Sequence, residues 1–141
     1  EGKITVYGSD PAKHPEHAWK VVREAETAGP GLFLKTHPKS ENVWTDATFA
    51  KDGNSNQTIC VFKKKDFDAD PTCFSATEHG KIVHFEYNKA GDEVWASVWD
   101  RKGALIVYDD KTLKEKARIE ADWMVTPTGK WNVYNTVHDV Y

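Results

Sequence analysis

Apolar and polar residues alternate along this chain in short runs, and turn-forming residues separate the runs. Breaks fall at Gly8-Ser9-Asp10-Pro11, Gly29-Pro30-Gly31, Lys51-Asp52-Gly53-Asn54, Asp70-Pro71, Ala90-Gly91-Asp92, Lys102-Gly103 and Pro127-Thr128-Gly129. Between them lie segments rich in Val, Ile, Thr and aromatic residues, which predict many short strands joined by turns. One segment is ambiguous. Ala18, Val21, Val22 and Ala25 fit helical spacing, whereas Trp19 and Val21 alternate as in a strand. The repeat described next favours a strand followed by a turn.

Two strand types recur. Val43-Trp44, Val94-Trp95 and Val133-Tyr134 mark one type, at spacings of 51 and 39 residues. Val6-Tyr7, Val61-Phe62 and Val107-Tyr108 mark the other, at spacings of 55 and 46 residues, each followed by a polar, Asp-containing turn. Alternation at a period of about 40–50 residues is the signature of four-stranded propeller blades. The pattern predicts an all-β chain of consecutive antiparallel blades. One blade ends at about residue 28, a second spans 31–77, a third spans 81–120, and a closing blade starts at 123 and runs to 141. In the third, strands are expected at Lys81–Tyr87, Glu93–Trp99, Ala104–Tyr108 and Lys114–Ile119. About three blades cannot close a ring. The remaining blades, or another copy of the chain, are expected to cover the exposed faces. The sequence begins almost inside a strand, so an upstream portion is also expected.

Composition narrows the function classes. The 141 residues carry a net charge of −3, which gives no electrostatic footprint for nucleic acid. No apolar run is long enough for a membrane helix. Cys60 and Cys73, the only cysteines, form no CxxC and no CxxCH. This excludes a cysteine zinc site and a covalently attached c-type haem within the segment. They pair as a disulfide in an oxidising compartment or remain as two buried thiols.

The candidate chemistry is sparse. There is no nucleophile elbow, phosphate-binding glycine loop or HExxH. His14 and His17 flank Pro15 and read as a solvated loop, and His138 as structural or exposed. His37 precedes Pro38 and is biased towards extended backbone. His84 falls in an inner strand, where ligands of propellers bind, and is the better functional candidate; a packed core histidine is the alternative. Aspartates such as Asp109 and Asp110 read as turn formers. The run Lys63-Lys64-Lys65 reads as a solvated edge, and Asn56-Gln57-Thr58 matches a glycosylation sequon. Trp95, Trp99, Trp123, Trp131, Tyr134 and Phe33 serve either blade-to-blade packing or a wall for a large flat ligand. Trp95 and Trp99 share one strand face.

Several of these segments resemble the haem d1 domain of cytochrome cd1 nitrite reductases. They are Leu32-Phe33-Leu34-Lys35-Thr36-His37-Pro38-Lys39-Ser40, Glu86-Tyr87-Asn88-Lys89, Gly91-Asp92-Glu93-Val94-Trp95 with Ser97-Val98-Trp99, and Asp109-Asp110-Lys111-Thr112-Leu113. The most specific is Thr126-Pro127-Thr128-Gly129-Lys130-Trp131-Asn132-Val133-Tyr134-Asn135-Thr136. The resemblance implies an eight-bladed propeller in a periplasmic, homodimeric enzyme that reduces nitrite to nitric oxide. Electrons would arrive from a c-type haem in a separate domain. The catalytic histidines of that family lie upstream of this segment, so no catalytic residue is expected here and the isolated chain is expected to be inactive. What maps onto it is a supporting wall for haem d1: Trp99, Gly129, Thr128, Phe33 and His84, the last at a position where the family often has Gln. Two further readings remain open: a non-catalytic haem d1 protein used in cofactor maturation, and a scaffold propeller that binds a protein partner.

Overall fold

The computed structural model describes residues 2–124 together with Trp131 and Val133. The described residues form three antiparallel sheets. Strands β1 (Lys3–Tyr7) and β2 (Val21–Glu26) make a two-stranded sheet. Strands β3 (Leu34–Thr36), β4 (Asn42–Thr45), β5 (Thr58–Lys63) and β6 (Thr72–Ser75) form a meander in that order. Strands β7 (Lys81–Tyr87), β8 (Glu93–Trp99), β9 (Ala104–Asp109) and β10 (Glu115–Glu120) form a second meander. Among the described residues no helix is long and apolar enough to cross a membrane.

The two four-stranded sheets pack face to face. Strand β8 shows how the alternation works: Val94, Ala96 and Val98 are fully buried against the neighbouring sheet. Glu93, Trp95, Ser97 and Trp99 point the other way, as period two requires. Strand β5 is covered on both faces, so it reads as a continuous apolar run. Its Ile59 and Val61 face the β7–β10 sheet, while Cys60 and Phe62 face β1 and β2. At the far edge, β10 (Glu-Lys-Ala-Arg-Ile-Glu) is exposed throughout. Charges along it discourage pairing with another chain.

Strand β7 breaks the rule of two. Ile82, Phe85 and Tyr87 all join the same core cluster, although residues 82 and 85 have opposite parity. A β-bulge between Val83 and Phe85 resolves this. His84 is the extra residue and takes the left-handed backbone, at φ +65°. Its side chain is thereby re-aimed while the apolar positions on both sides keep their places in the core.

Several expectations change in the structure. Trp19 is not in a strand; it is 73% exposed in the turn before β2, at φ +59°. Lys63-Lys64-Lys65 does not decorate an edge. Strand β5 lies between β4 and β6, and the Nζ atoms of Lys63 and Lys64 donate to Asn42 Oδ1 and the His37 carbonyl, each at 2.7 Å. Asn56 of the sequon is buried in a 3-10 turn, Ser55–Gln57. Cys60 and Cys73 are cross-strand partners on β5 and β6 and form a disulfide.

Candidate functional site in the inner strands

Strands β3 and β7 are the first strands of consecutive meanders, and they run side by side in the same direction. Contacts between them advance in step: Phe33 meets His84, Lys35 meets Glu86, and His37 meets Tyr87. The Phe33 ring stacks on the His84 imidazole, with centroids 4.5 Å apart and planes 17° apart. His84 also meets the Trp131 ring, with centroids 5.0 Å apart and planes 53° apart. The result is a group of three rings centred on His84, with Leu32, Leu34, Thr36 and Phe85 lining the adjoining depression.

Charges beneath the rings are paired. His84 Nε2 lies 2.9 Å from Glu86 Oε1, and Lys35 Nζ lies 3.0 Å from Glu86 Oε2. Glu86 is almost fully buried, and a buried carboxylate needs such partners. An ionised carboxylate only accepts hydrogen bonds, so the arrangement makes His84 Nε2 the proton-bearing nitrogen.

A second carboxylate fixes the backbone of the same wall. Asp46, at the end of β4, accepts the amide of Leu32 at 2.7 Å on Oδ1. Its Oδ2 accepts the amides of Phe33 at 3.2 Å and of His84 at 3.3 Å. One buried side chain thus holds both the entry to β3 and the bulge in β7. Burial raises the Asp46 pKa above its ordinary value, and the Leu32, Phe33 and His84 amide hydrogen bonds oppose that rise. Glycine is required next to it, because a Cβ at Gly31 would sit 2.4 Å from the Asp46 carbonyl oxygen.

A third carboxylate, Asp110, lies at the other end of the blades. It accepts from Ser40 Oγ (2.6 Å), Trp44 Nε1 (2.9 Å) and the Tyr87 hydroxyl (2.8 Å), with Asn42 Nδ2 at 3.3 Å. Asp109 behaves as a turn former, its Oδ1 accepting the amides of Lys111 and Thr112. Asp110 is a buried bridge between sheets, which its place in a turn sequence does not reveal.

The expected site residues separate into groups. Phe33 and His84 are brought together. Trp99 ends β8 opposite Lys81, at the same end of the blade from which β7 starts, and is 42% exposed. Thr128, Gly129, Tyr134 and His138 lie outside the described residues. Trp123 is exposed, and Trp95 shares the Trp99 face of β8. His14 and His17 flank Glu16 in an exposed 3-10 turn. His37 sits between β3 and β4; burial first, then Lys39 and Lys64, lower its pKa. Among the described residues no cluster of three or more His, Cys, Asp or Glu could hold a metal.

Sequence reasoning missed Lys35, Asp46 and Glu86. A signal existed for two of them. Phe33 and Lys35 are two apart at the start of β3, His84 and Glu86 two apart on β7, and the 51-residue repeat places each beside its counterpart. A similar His79–Asp100 pair, 2.7 Å apart beside Trp99, also escaped notice.

Comparison with known proteins agrees with this architecture. The chain is 44% identical to a nitrite reductase of Stutzerimonas stutzeri over 143 aligned positions, 92% of this chain and 26% of that protein. It is 37% identical to the dihydro-heme d1 dehydrogenase of Pseudomonas aeruginosa, covering 84% of this chain and 23% of that protein. A weaker likeness, 27% over 73% of the chain, is to protein NirF of Stutzerimonas stutzeri. Among solved structures, dihydro-heme d1 dehydrogenase NirN in complex with DHE superposes with a TM-score of 0.71 at 30% identity, covering 84% of this chain and 23% of that one. The chain therefore spans about a quarter of the length of these relatives. Residues 2–136 match the model of the cytochrome D1 heme domain. With nearly every residue inside that match, the chain belongs to the cytochrome D1 heme domain family.

Proposed function

We propose that this chain supplies one side of the haem d1 pocket in an eight-bladed propeller, and that the complete protein is a periplasmic, homodimeric cytochrome cd1-type nitrite reductase. The observation that carries the reading is the Phe33–His84 stack on adjacent inner strands of a d1-family chain. The residues fit a large flat cofactor. An aromatic face offers stacking area, and Lys35 brings a cation to the same wall as Phe33.

When bound, haem d1 supplies the redox chemistry, and the protein supplies position and electrostatics. Phe33 would bear on the macrocycle, with the buried His84 ring backing it and Asp46 holding both backbones in place. Trp99 covers the ring from the mouth of the channel. Thr128 and Gly129, by resemblance, bring backbone close to it. Catalytic histidines and the c-type haem that feeds electrons belong to other parts of the complete protein, and the remaining blades are the partners of this segment.

A second reading is a dihydro-haem d1 dehydrogenase or maturation protein, favoured by the 37% identity and the TM-score of 0.71 to such a protein. The complete protein, reconstituted with haem d1 and assayed for nitric oxide production from nitrite, separates the readings. Turnover supports the reductase. Haem binding without turnover supports the second reading, and failure to bind haem d1 leaves a scaffold propeller. The 141-residue chain alone is expected to show no turnover with added haem.

A further inference from the structure

The Trp131 indole carries an unmet demand. Its Nε1 is buried and finds no acceptor among the described residues. An indole N–H is a donor only, so what it lacks is an acceptor. Packing against His84 would be satisfied by a ring without that nitrogen. Histidine cannot meet the demand through Nε2, which is already directed at Glu86. Buried donors without partners are rare in proteins, and each calls for an explanation such as an ion or ligand that brings the acceptor.

We infer that Trp131 donates a hydrogen bond to the bound macrocycle, taking an oxygen acceptor, carboxylate or carbonyl, on the ligand's edge. The inference rests on the haem-pocket reading and extends it to a residue with a defined chemical demand. The group of Phe33, His84 and Trp131 then divides its work. Phe33, partly buried along the depression, offers its ring to the ligand's plane, the buried His84 imidazole backs that ring, and the indole reads the ligand's oxygenated periphery, which discriminates macrocycles by their substituents.

The test uses the complete protein with Trp131→Phe, which keeps the ring and removes the donor. Three quantities are measured: the thermal midpoint without ligand, the affinity for haem d1, and the affinity for iron octaethylporphyrin, which has no peripheral oxygen. The expected result is an unliganded midpoint equal to or above wild type, because the phenyl ring leaves no buried donor unpaired. Haem d1 affinity should fall about tenfold, with octaethylporphyrin affinity unchanged. Equal haem d1 affinity in the two proteins overturns the inference alone. So does a lowered unliganded midpoint, which would locate the acceptor in the protein, and so does equal weakening for both macrocycles, which would reduce Trp131 to packing. A wild-type protein that binds no haem d1 overturns the pocket reading and this inference with it.

Discussion

The two seams between sheets are built differently. Between β1–β2 and the β3–β6 sheet the buried contacts are apolar: Ile4, Cys60, Phe62 and Phe67, flanked by Val6, Ala25, Ala28 and Val43. Between the β3–β6 and β7–β10 sheets the apolar cluster is larger, and Asp110 at one end and Asp46 at the other tie the sheets by directed hydrogen bonds. Apolar contact tolerates small rotations and volume-conserving repacking. A buried carboxylate with several donors does not, since each lost partner leaves a polar group stranded. The second seam also bears the Phe33–His84 wall, so orientation is enforced where ligand geometry would depend on it.

The largest expected effect comes from breaking that enforcement. Asp110→Ala in the complete protein removes the acceptor from Ser40, Trp44 and Tyr87 together and should cost about 3–5 kcal/mol in denaturant unfolding. A loss under about 1 kcal/mol would make the polar seam no more demanding than the apolar one. Next in size is the disulfide, which clamps β6 to β5 beside the apolar seam. Its cysteines are separated by 13 positions in sequence, so Cys60→Ala combined with Cys73→Ala should cost about 3 kcal/mol. Reductant should lower wild-type stability by a similar amount and leave the double variant unchanged. An insensitive wild type would remove the clamp from the comparison.

A smaller effect concerns pH. The Asp46 pKa is raised in the folded state, so between the unfolded value and that raised value the native state holds more protons. Stability therefore falls as pH rises through this window, and the full contribution is present only below the unfolded pKa. Asp46→Asn should flatten that part of the curve when unfolding midpoints are plotted against pH. An unchanged slope would deny Asp46 this role. Smallest in stability is Trp99→Ala. Being partly exposed, Trp99 should contribute under about 1 kcal/mol, while haem d1 retention falls measurably. Unchanged haem content with a large stability loss would instead assign Trp99 to blade packing.

Much of the framework is legible in the residues. The third unit reads directly, because its turns are marked by Asn88, Gly91, Lys102 and Gly103 and its strands alternate cleanly. Strands β7 and β8 occupy the spans expected from that pattern, and β9 and β10 differ by one residue at their ends. The stretch before β2 was harder. Trp19 keeps strand parity with Val21, yet its left-handed backbone ends the alternation, and parity carries no information about φ. The aromatic set named from sequence omitted Trp44, which is fully buried against Phe74, Phe85 and Tyr108. Nothing local distinguishes a core tryptophan from a wall tryptophan; the neighbouring sheet does.

What the sequence by itself determined is periodic: strand positions, the strand repeat, and the placement of His84 in the first strand of its unit. Such features depend on backbone geometry that repeats every two residues and on turn chemistry acting within a few residues. What the tertiary structure alone decided is directional. The bulge at His84, the disulfide between Cys60 and Cys73, and the gathering of donors by Asp46 and Asp110 all depend on atoms 13 to 70 residues apart. Hydrogen bonds are specified by distance and angle between such atoms, and only the packed sheets set those.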